Sequence, residues 1–307
     1  MINIPNNLNK EINPSSYTGC PKCNGTGFRD KFVDGHKFKE KCSCYEAFQL
    51  NKLKEKSDIP ELYINAAFNL DKSVSFYRFT PLRYKNVKVD VNGEKRTRKE
   101  LEFNAPDKYF INEFGQQYVN VVTKYLNQKP RTQSVGLILS GTVGSGKTFF
   151  ACAIGNACIA NGLNVSYIKT KQYLDNVIKD SFDGNDESKV KKLKEKRDYL
   201  NGFNEKHEDN CHVLILDELG YEYQKGDNNF ALAEIKDLLR NRAEKSLPTI
   251  ITTNFMLDEL VQTYEEEMVS MFAESYMFFL VLCSDDYRIK KSSQLDKDFD
   301  LSVLKTI

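Results

Sequence analysis

The chain has 307 residues, with 44 lysines and arginines against 43 aspartates and glutamates, for a formal net charge of +1. That length allows a core of ordinary size and two folding units. The balanced charge excludes a global field that would draw the molecule onto nucleic acid, so any such binding has to use local patches. The opening, MINIPNNLNK, is polar, and the longest apolar run near the end, 276–283, is far too short to cross a bilayer. A cytoplasmic protein with no membrane contact is expected.

Residues 1–16 are polar and are expected to lack fixed structure. Four of the eight cysteines follow in a cluster. Cys20 and Cys23 form C-x-x-C, and after an 18-residue gap Cys42 and Cys44 form C-x-C. Gly25 and Gly27 leave backbone N–H groups that can face the sulfurs. Four thiolates suit a closed tetrahedral Zn²⁺ site. His36 is an alternative fourth ligand, and free thiols are the competing reading, because C-x-C is tighter than the usual spacing. A segment this small, with few large apolar groups, has a marginal core and would need the metal. The stretch 45–56 is helix-like. Cys152, Cys158, Cys211 and Cys283 lie singly in apolar surroundings and read as small core residues. The domain scheme is a zinc-binding module over 1–56, a connector over 57–105 and an α/β domain over 106–307.

Within the connector, Ser57-Asp58-Ile59-Pro60 has the form of a helix start. Residues 83–99 carry seven basic and two acidic side chains. The alternation before Asn92-Gly93 predicts a hairpin there. This hairpin is either a contact for phosphate backbone or a solvated surface element.

Residues 141–148 read GTVGSGKT, a complete phosphate-binding loop of the form G-x-x-x-x-G-K-[ST]. The nucleotide-cradling stretch is Gly141, Thr142, Val143, Gly144, Ser145, Gly146, Lys147, Thr148 and Phe149. Its glycines let successive amides curl around the phosphates of ATP. Lys147 would neutralise phosphate charge, and the Thr148 hydroxyl would ligate Mg²⁺. The apolar run 134–140 predicts a buried strand, and 149–161 predicts a packed helix, so the loop falls at a helix N-terminus.

Residues 164–168 predict a second strand. A helix is expected from Tyr173 through Lys179, with a break at 183–185. The long helix around 189–198 carries six basic and two acidic residues, by default a solvated face. Residues 213–218, VLILDE, are a buried strand running into two carboxylates. Asp217 fits a Mg²⁺ ligand acting through water, and Glu218 fits the base that orients an attacking water. A solvated acidic turn is the bland alternative. Residues 248–254, PTIITTN, predict a further strand ending in Asn254, which either contacts the γ-phosphate and lytic water or caps the following helix.

The ordered set GTVGSGKT, YLDNVIKDSFDG, VLILDELG, NRAEKSLPTIITTN and SDDYR resembles the AAA+ ATPases that load replicative helicases, the DnaC/DnaI type, and their IstB-like relatives. The resemblance covers about residues 106–290. The N-terminal CPKCNGTGF resembles the zinc-bearing, phage-like variants. The resemblance implies an AAA+ P-loop parallel sheet with flanking helices behind a small zinc module. It implies ATP, Mg²⁺ and Zn²⁺ as cofactors. As partners it implies a hexameric replicative helicase, single-stranded DNA and further copies of the chain in a spiral. By position, Lys179 and Phe182 match a basic and an aromatic residue that hold single-stranded DNA, and Phe230 matches a second aromatic. Helix packing is the competing reading for both phenylalanines. Arg288 matches the sensor-2 arginine.

One position departs from the family pattern. Met271 stands where the family carries an arginine finger, and no arginine lies between Arg242 and Arg288. Arg240 or Arg242 substitutes, or a partner supplies the charge, or hydrolysis is slow; weak intrinsic ATPase activity is expected. An IstB-like transposition helper and a non-hydrolysing helicase adaptor or inhibitor are the alternative functions.

Overall fold

The computed structural model describes residues 20–68, 75–79, 81–91, 94–103, 107–128, 135–182, 187–206, 209–220, 229–256, 259–260, 263–264 and 278–282. The chain divides into two compact units, 1–56 and 57–307. The polar start expected to lack structure, the break at 183–185, Cys283, Met271 and Arg288 lie outside the described residues.

In the first unit a hairpin of β1 (Phe28–Val33) and β2 (His36–Lys41) separates the two cysteine pairs, and α1 (Ser43–Lys56) follows. The hairpin strands are almost wholly exposed. Among the described residues of this unit, the buried side chains are those of Cys23, Cys42 and Cys44. The described residues of this unit form no apolar core, so the cysteine cluster is what they bury.

The second unit opens differently from its sequence signal. Ser57 to Pro60 leads only into a short 3-10 turn, Glu61–Tyr63. Asp58 has φ 55 and Pro60 has ψ 143, so the backbone enters the turn extended, and no side chain caps it. The buried Ser57 carbonyl instead accepts the Tyr167 N–H at 2.6 Å.

Five parallel strands form the centre: β7 (Leu137–Gly141), β8 (Val165–Lys169), β9 (Val213–Leu219), β10 (Thr249–Thr253) and β11 (Phe278–Leu282). Their spatial order is β11-β7-β10-β9-β8. The sheet is longer than the parallel core expected from sequence. The stretch taken as a connector supplies β3 (Ser75–Phe79), which pairs antiparallel with β11, and β6 (Asp107–Phe110) pairs antiparallel with β3. Between them β4 (Pro81–Val91) and β5 (Glu94–Phe103) make the expected hairpin, in register from Val91↔Glu94. The apolar run noted at 276–283 contains the buried strand β11.

Helices cover both faces. Leu214 and Leu216 of β9 join a core with α4 (Thr170–Phe182), α5 (Glu187–Asn201) and α6 (Asn229–Glu244). Ile215, on the opposite face, meets Gly155 of α3 (Lys147–Ala160), where a Cβ would lie 2.8 Å from Ile215 Cδ1. α2 (Ile111–Leu126) packs on α3 in turn. Cover on both faces explains why VLIL is continuously apolar rather than alternating.

Arg242, near the end of α6, is fully buried. Its Nε donates to Thr249 Oγ1 at 2.9 Å. Nη1 donates to the carbonyls of Leu200 and Cys211, and Nη2 to those of His212 and Pro248. One guanidinium thus ties the end of α5 to the starts of β9 and β10, and it has no reach toward a neighbouring copy. This removes Arg242 as a substitute finger; Arg240 on the same helix is exposed. Arg242→Ala is expected to destabilise the second unit by about 3 kcal/mol or more in urea unfolding, because several buried carbonyls lose their donor at about 1–3 kcal/mol each.

Candidate functional site

The phosphate-binding loop leaves β7 and enters α3 at the carboxyl edge of the parallel sheet, where α/β folds place ligands. Two glycines make the turn possible. Gly141 has φ 142, and a Cβ there would lie 2.6 Å from the Leu282 carbonyl oxygen of β11. Gly146, at φ 89, occupies the left-handed region at the N-cap of α3. No side chain caps that helix, so its first N–H groups point into the loop, an arrangement suited to an anion. Lys147 Nζ donates to the carbonyls of Gly141 at 2.8 Å and Thr142 at 2.7 Å, which sets the ammonium inside the loop's curve.

Asp217 lies within bonding distance of this loop. Its carboxylate is 1% exposed. Thr148 Oγ1 donates to Oδ1 at 2.9 Å, Thr252 Oγ1 to the same oxygen at 2.6 Å, and Tyr167 OH to Oδ2 at 2.6 Å. Thr170 Oγ1 donates to the Asp217 carbonyl at 2.8 Å. Burial, with the Asp217 charge beside it, pushes the Tyr167 phenol above its usual range, so it stays a protonated donor. Thr148 and Asp217 are the pair that would hold a Mg²⁺ ion, and an oxygen-only donor set of this kind suits that hard cation. Tyr167, Thr170 and Thr252 were not singled out from sequence. Tyr167 of β8 and Thr252 of β10 read there only as strand formers, Thr170 begins α4, and no local pattern connects the three to Asp217, 35 to 50 residues away.

Glu218, the next residue, faces the other way. Its side chain is 49% exposed, and its carboxylate lies 3.9 Å from Lys169 Nζ. Asn254 follows β10, partly exposed, at the same carboxyl edge. The turn after it is closed by neighbours: Thr253 Oγ1 accepts the Phe255 N–H at 3.1 Å, and Glu259 accepts the Met256 N–H at 2.7 Å. Lys147, Thr148 and Asp217 are therefore brought together, while Glu218 follows Asp217 on β9 with its side chain turned outward and Asn254 lies on the neighbouring strand end. Lys179 on α4 is exposed, as is Phe230 at 49% near the start of α6; Phe182 ends α4. Arg197 of α5 holds Glu234 of α6 through Nε and Nη2 at 3.0 and 2.6 Å. The Tyr173 hydroxyl of α4 donates to the same carboxylate at 2.7 Å. This tie fixes α4 and α5 against α6.

In the first unit the sulfurs of Cys20, Cys23, Cys42 and Cys44 lie within 4.8 Å of one another. Cys23 and Cys44 are 3.4 Å apart, and Cys20 and Cys42 are 3.9 Å apart. A tetrahedral Zn²⁺ with Zn–S near 2.3 Å sets its sulfurs about 3.8 Å apart, so the four residues fit that metal. The Gly27 N–H donates to Cys23 Sγ at 3.3 Å. Burial works against ionising Cys23, but Cys44, Gly27, Cys20 and Gly25 donate to its sulfur and bring it down to about 6. His36, the alternative ligand, sits exposed at the far end of the hairpin, opposite Val33, and is not in the cluster. No helix among the described residues is long and apolar enough to cross a membrane.

Residues 126–274 match the family described as IstB-like ATP binding protein. The replicative helicase loader DnaC of Buchnera aphidicola subsp. Baizongia pistaciae (strain Bp) is 25% identical over 193 residues, 62% of this chain and 72% of that protein. Two solved structures overlay more loosely. The crystal structure of DnaI gives a TM-score of 0.48 at 15% identity, over 76% of this chain and 98% of that one. That of the DnaC helicase loader gives 0.42 at 25% identity, over 56% and 90%. Residues 126–274 are thus similar to the IstB-like ATP-binding proteins, and the chain is similar to the Buchnera DnaC helicase loader.

Proposed function

We propose that the protein is an ATPase that loads a hexameric replicative helicase onto single-stranded DNA. The observation that carries the reading is the meeting of Thr148 and Asp217 beside the phosphate-binding loop, in a chain whose Buchnera relative is named a loader. The amides at the N-terminus of α3 and Lys147 bind the nucleotide phosphates. Thr148 and Asp217 hold Mg²⁺, which supplies charge neutralisation at the phosphates. Glu218 takes a proton from water at the open side of β9, and Asn254 orients that water. Arg288 completes the nucleotide site. Several copies form a spiral whose inner surface presents Lys179, Phe182 and Phe230 to the DNA. The cysteine module, holding one Zn²⁺, docks the helicase.

A second reading has its own support. With Arg242 committed to the core and no arginine from 243 to 287, this chain has few sources for the charge that speeds phosphoryl transfer by about 10³–10⁵. That favours a slow hydrolyser, and in the limit an ATP-binding helicase adaptor. ATPase rates with and without helicase and single-stranded DNA separate the two, since a loader is stimulated and an adaptor is not.

Lys147→Ala is expected to weaken ATP binding about 10- to 100-fold in equilibrium titration, the loss of one charge-assisted contact, and to abolish ATP-dependent co-elution with the hexameric helicase. Glu218→Gln is expected to keep ATP affinity while single-turnover hydrolysis slows about 10²–10⁴-fold. Cys23→Ser is expected to release the zinc, measured as metal per chain. It should unfold 1–56 alone, because metal binding supplies about 10 kcal/mol or more of folding energy to such a module. ATP binding should survive in that variant and helicase co-elution should not. A Cys23→Ser protein that still co-elutes removes the docking role from the module.

A further inference from the structure

Along most of their length β9 and β10 pair residue for residue, Thr249 with Leu214 through Ile251 with Leu216. The next pair is Thr253 with Leu219. Two residues of β9, Asp217 and Glu218, therefore stand opposite the single residue Thr252. This is a β-bulge, a feature uncommon between parallel strands and frequent beside active sites. Its second residue, Glu218, has φ 61, a left-handed conformation that a glutamate rarely adopts and that persists only when the surroundings impose it. Through that turn, two carboxylates adjacent in sequence face opposite ways: Asp217 inward at 1% exposure and Glu218 outward at 49%.

One hydroxyl bridges the turn. Thr252 Oγ1 accepts the Glu218 N–H at 2.9 Å, the amide that the bulge removes from the strand ladder, and donates to Asp217 Oδ1 at 2.6 Å. On the far side of the bulge Thr253 Oγ1 donates to the Leu219 carbonyl at 2.8 Å. We propose that Thr252 is a positioning residue for hydrolysis, its hydroxyl holding the bulge that turns the Glu218 carboxylate out toward the attacking water. The proposal rests on Glu218 being the base. Threonine is required rather than merely a β-branched residue, because valine has the shape without the donor and acceptor.

The test compares wild type, Thr252→Val, Thr252→Ser and Glu218→Gln in the full chain. Three measurements are made: Mg²⁺-ATP affinity, single-turnover hydrolysis, and hydrogen exchange at the Glu218 amide. With Mg²⁺-ATP saturating for each protein, Thr252→Val should hydrolyse about 10- to 100-fold more slowly than wild type, the scale of a misplaced catalytic group. Its Glu218 amide should exchange faster than in wild type, and Thr252→Ser should recover both properties. Thr252→Val that hydrolyses at the wild-type rate while Glu218→Gln is inactive overturns the positioning role alone. Glu218→Gln with wild-type hydrolysis removes the base and the proposal with it. If Thr252→Val does not fold, wild type still decides: a Glu218 amide that exchanges as fast as an open loop overturns the proposal.

Discussion

The second unit depends on keeping one carboxylate, that of Asp217, out of water. Removing a carboxylate from solvent costs several kcal/mol unless its oxygens are bonded. Asp217 meets that cost with hydroxyl donors from three separate elements: α3, β8 and β10. Each donor has to arrive with its own strand or helix in register, so the Asp217 cluster reports the joint placement of α3, β8, β9 and β10. It also makes the site asymmetric. Oδ1 is shared by Thr148 and Thr252, while Oδ2 is held by Tyr167, and Thr148 is the donor that also faces the phosphate-binding loop. A cation arriving there meets a carboxylate already oriented, which lowers the reorganisation that binding requires.

The two units solve the same thermodynamic problem by different chemistry. In 57–307 the entropy of chain ordering is offset by apolar burial on both faces of a sheet, with Arg242 tying three chain segments where backbone carbonyls would otherwise go without donors. In 20–56 the buried side chains are three cysteines, and a hairpin with two exposed faces cannot supply comparable burial. Ligation of a metal by the four sulfurs would be a term of the right size. Under the proposed Zn²⁺ reading the first unit is conditional on metal in a way that the second is not.

What the sequence revealed follows from how local each signal is. The phosphate-binding loop is eight consecutive residues whose chemistry is complete in itself, and VLILDE places its carboxylates by position along one strand. Four cysteines in two close pairs are equally self-contained. Strands β3 and β6 were missed because their pairing is with β11 and with each other, across long stretches of chain, and their own residues mix charge and aromatics without a buried period. The run at 276–283 was visible as apolar, but only its place beside β7 makes it the fifth parallel strand. Arg242 read as a spare cation because burial is a tertiary property. Tyr167 and Thr252 carry no mark at all in sequence, since a hydroxyl on a β-branched or aromatic strand residue is ordinary until a carboxylate is found opposite it.

Burial of Arg242 and the bulge at Glu218 bear jointly on the proposed mechanism. A guanidinium that bonds five acceptors inside the core cannot also swing to a neighbour's γ-phosphate, since withdrawing it would orphan the ends of α5, β9 and β10 at once. Stability and rate therefore compete for the same residue type in this chain, and the fold has taken it. On the base side of the proposed mechanism, by contrast, the bulge turns Glu218 outward. A site built in that way and short of arginine on its charge-neutralising side would hold ATP longer than it cleaves it. Within the proposed function that asymmetry suits a protein whose ATP-bound state has to last while a large ring is moved, with hydrolysis completed when a partner supplies the missing charge.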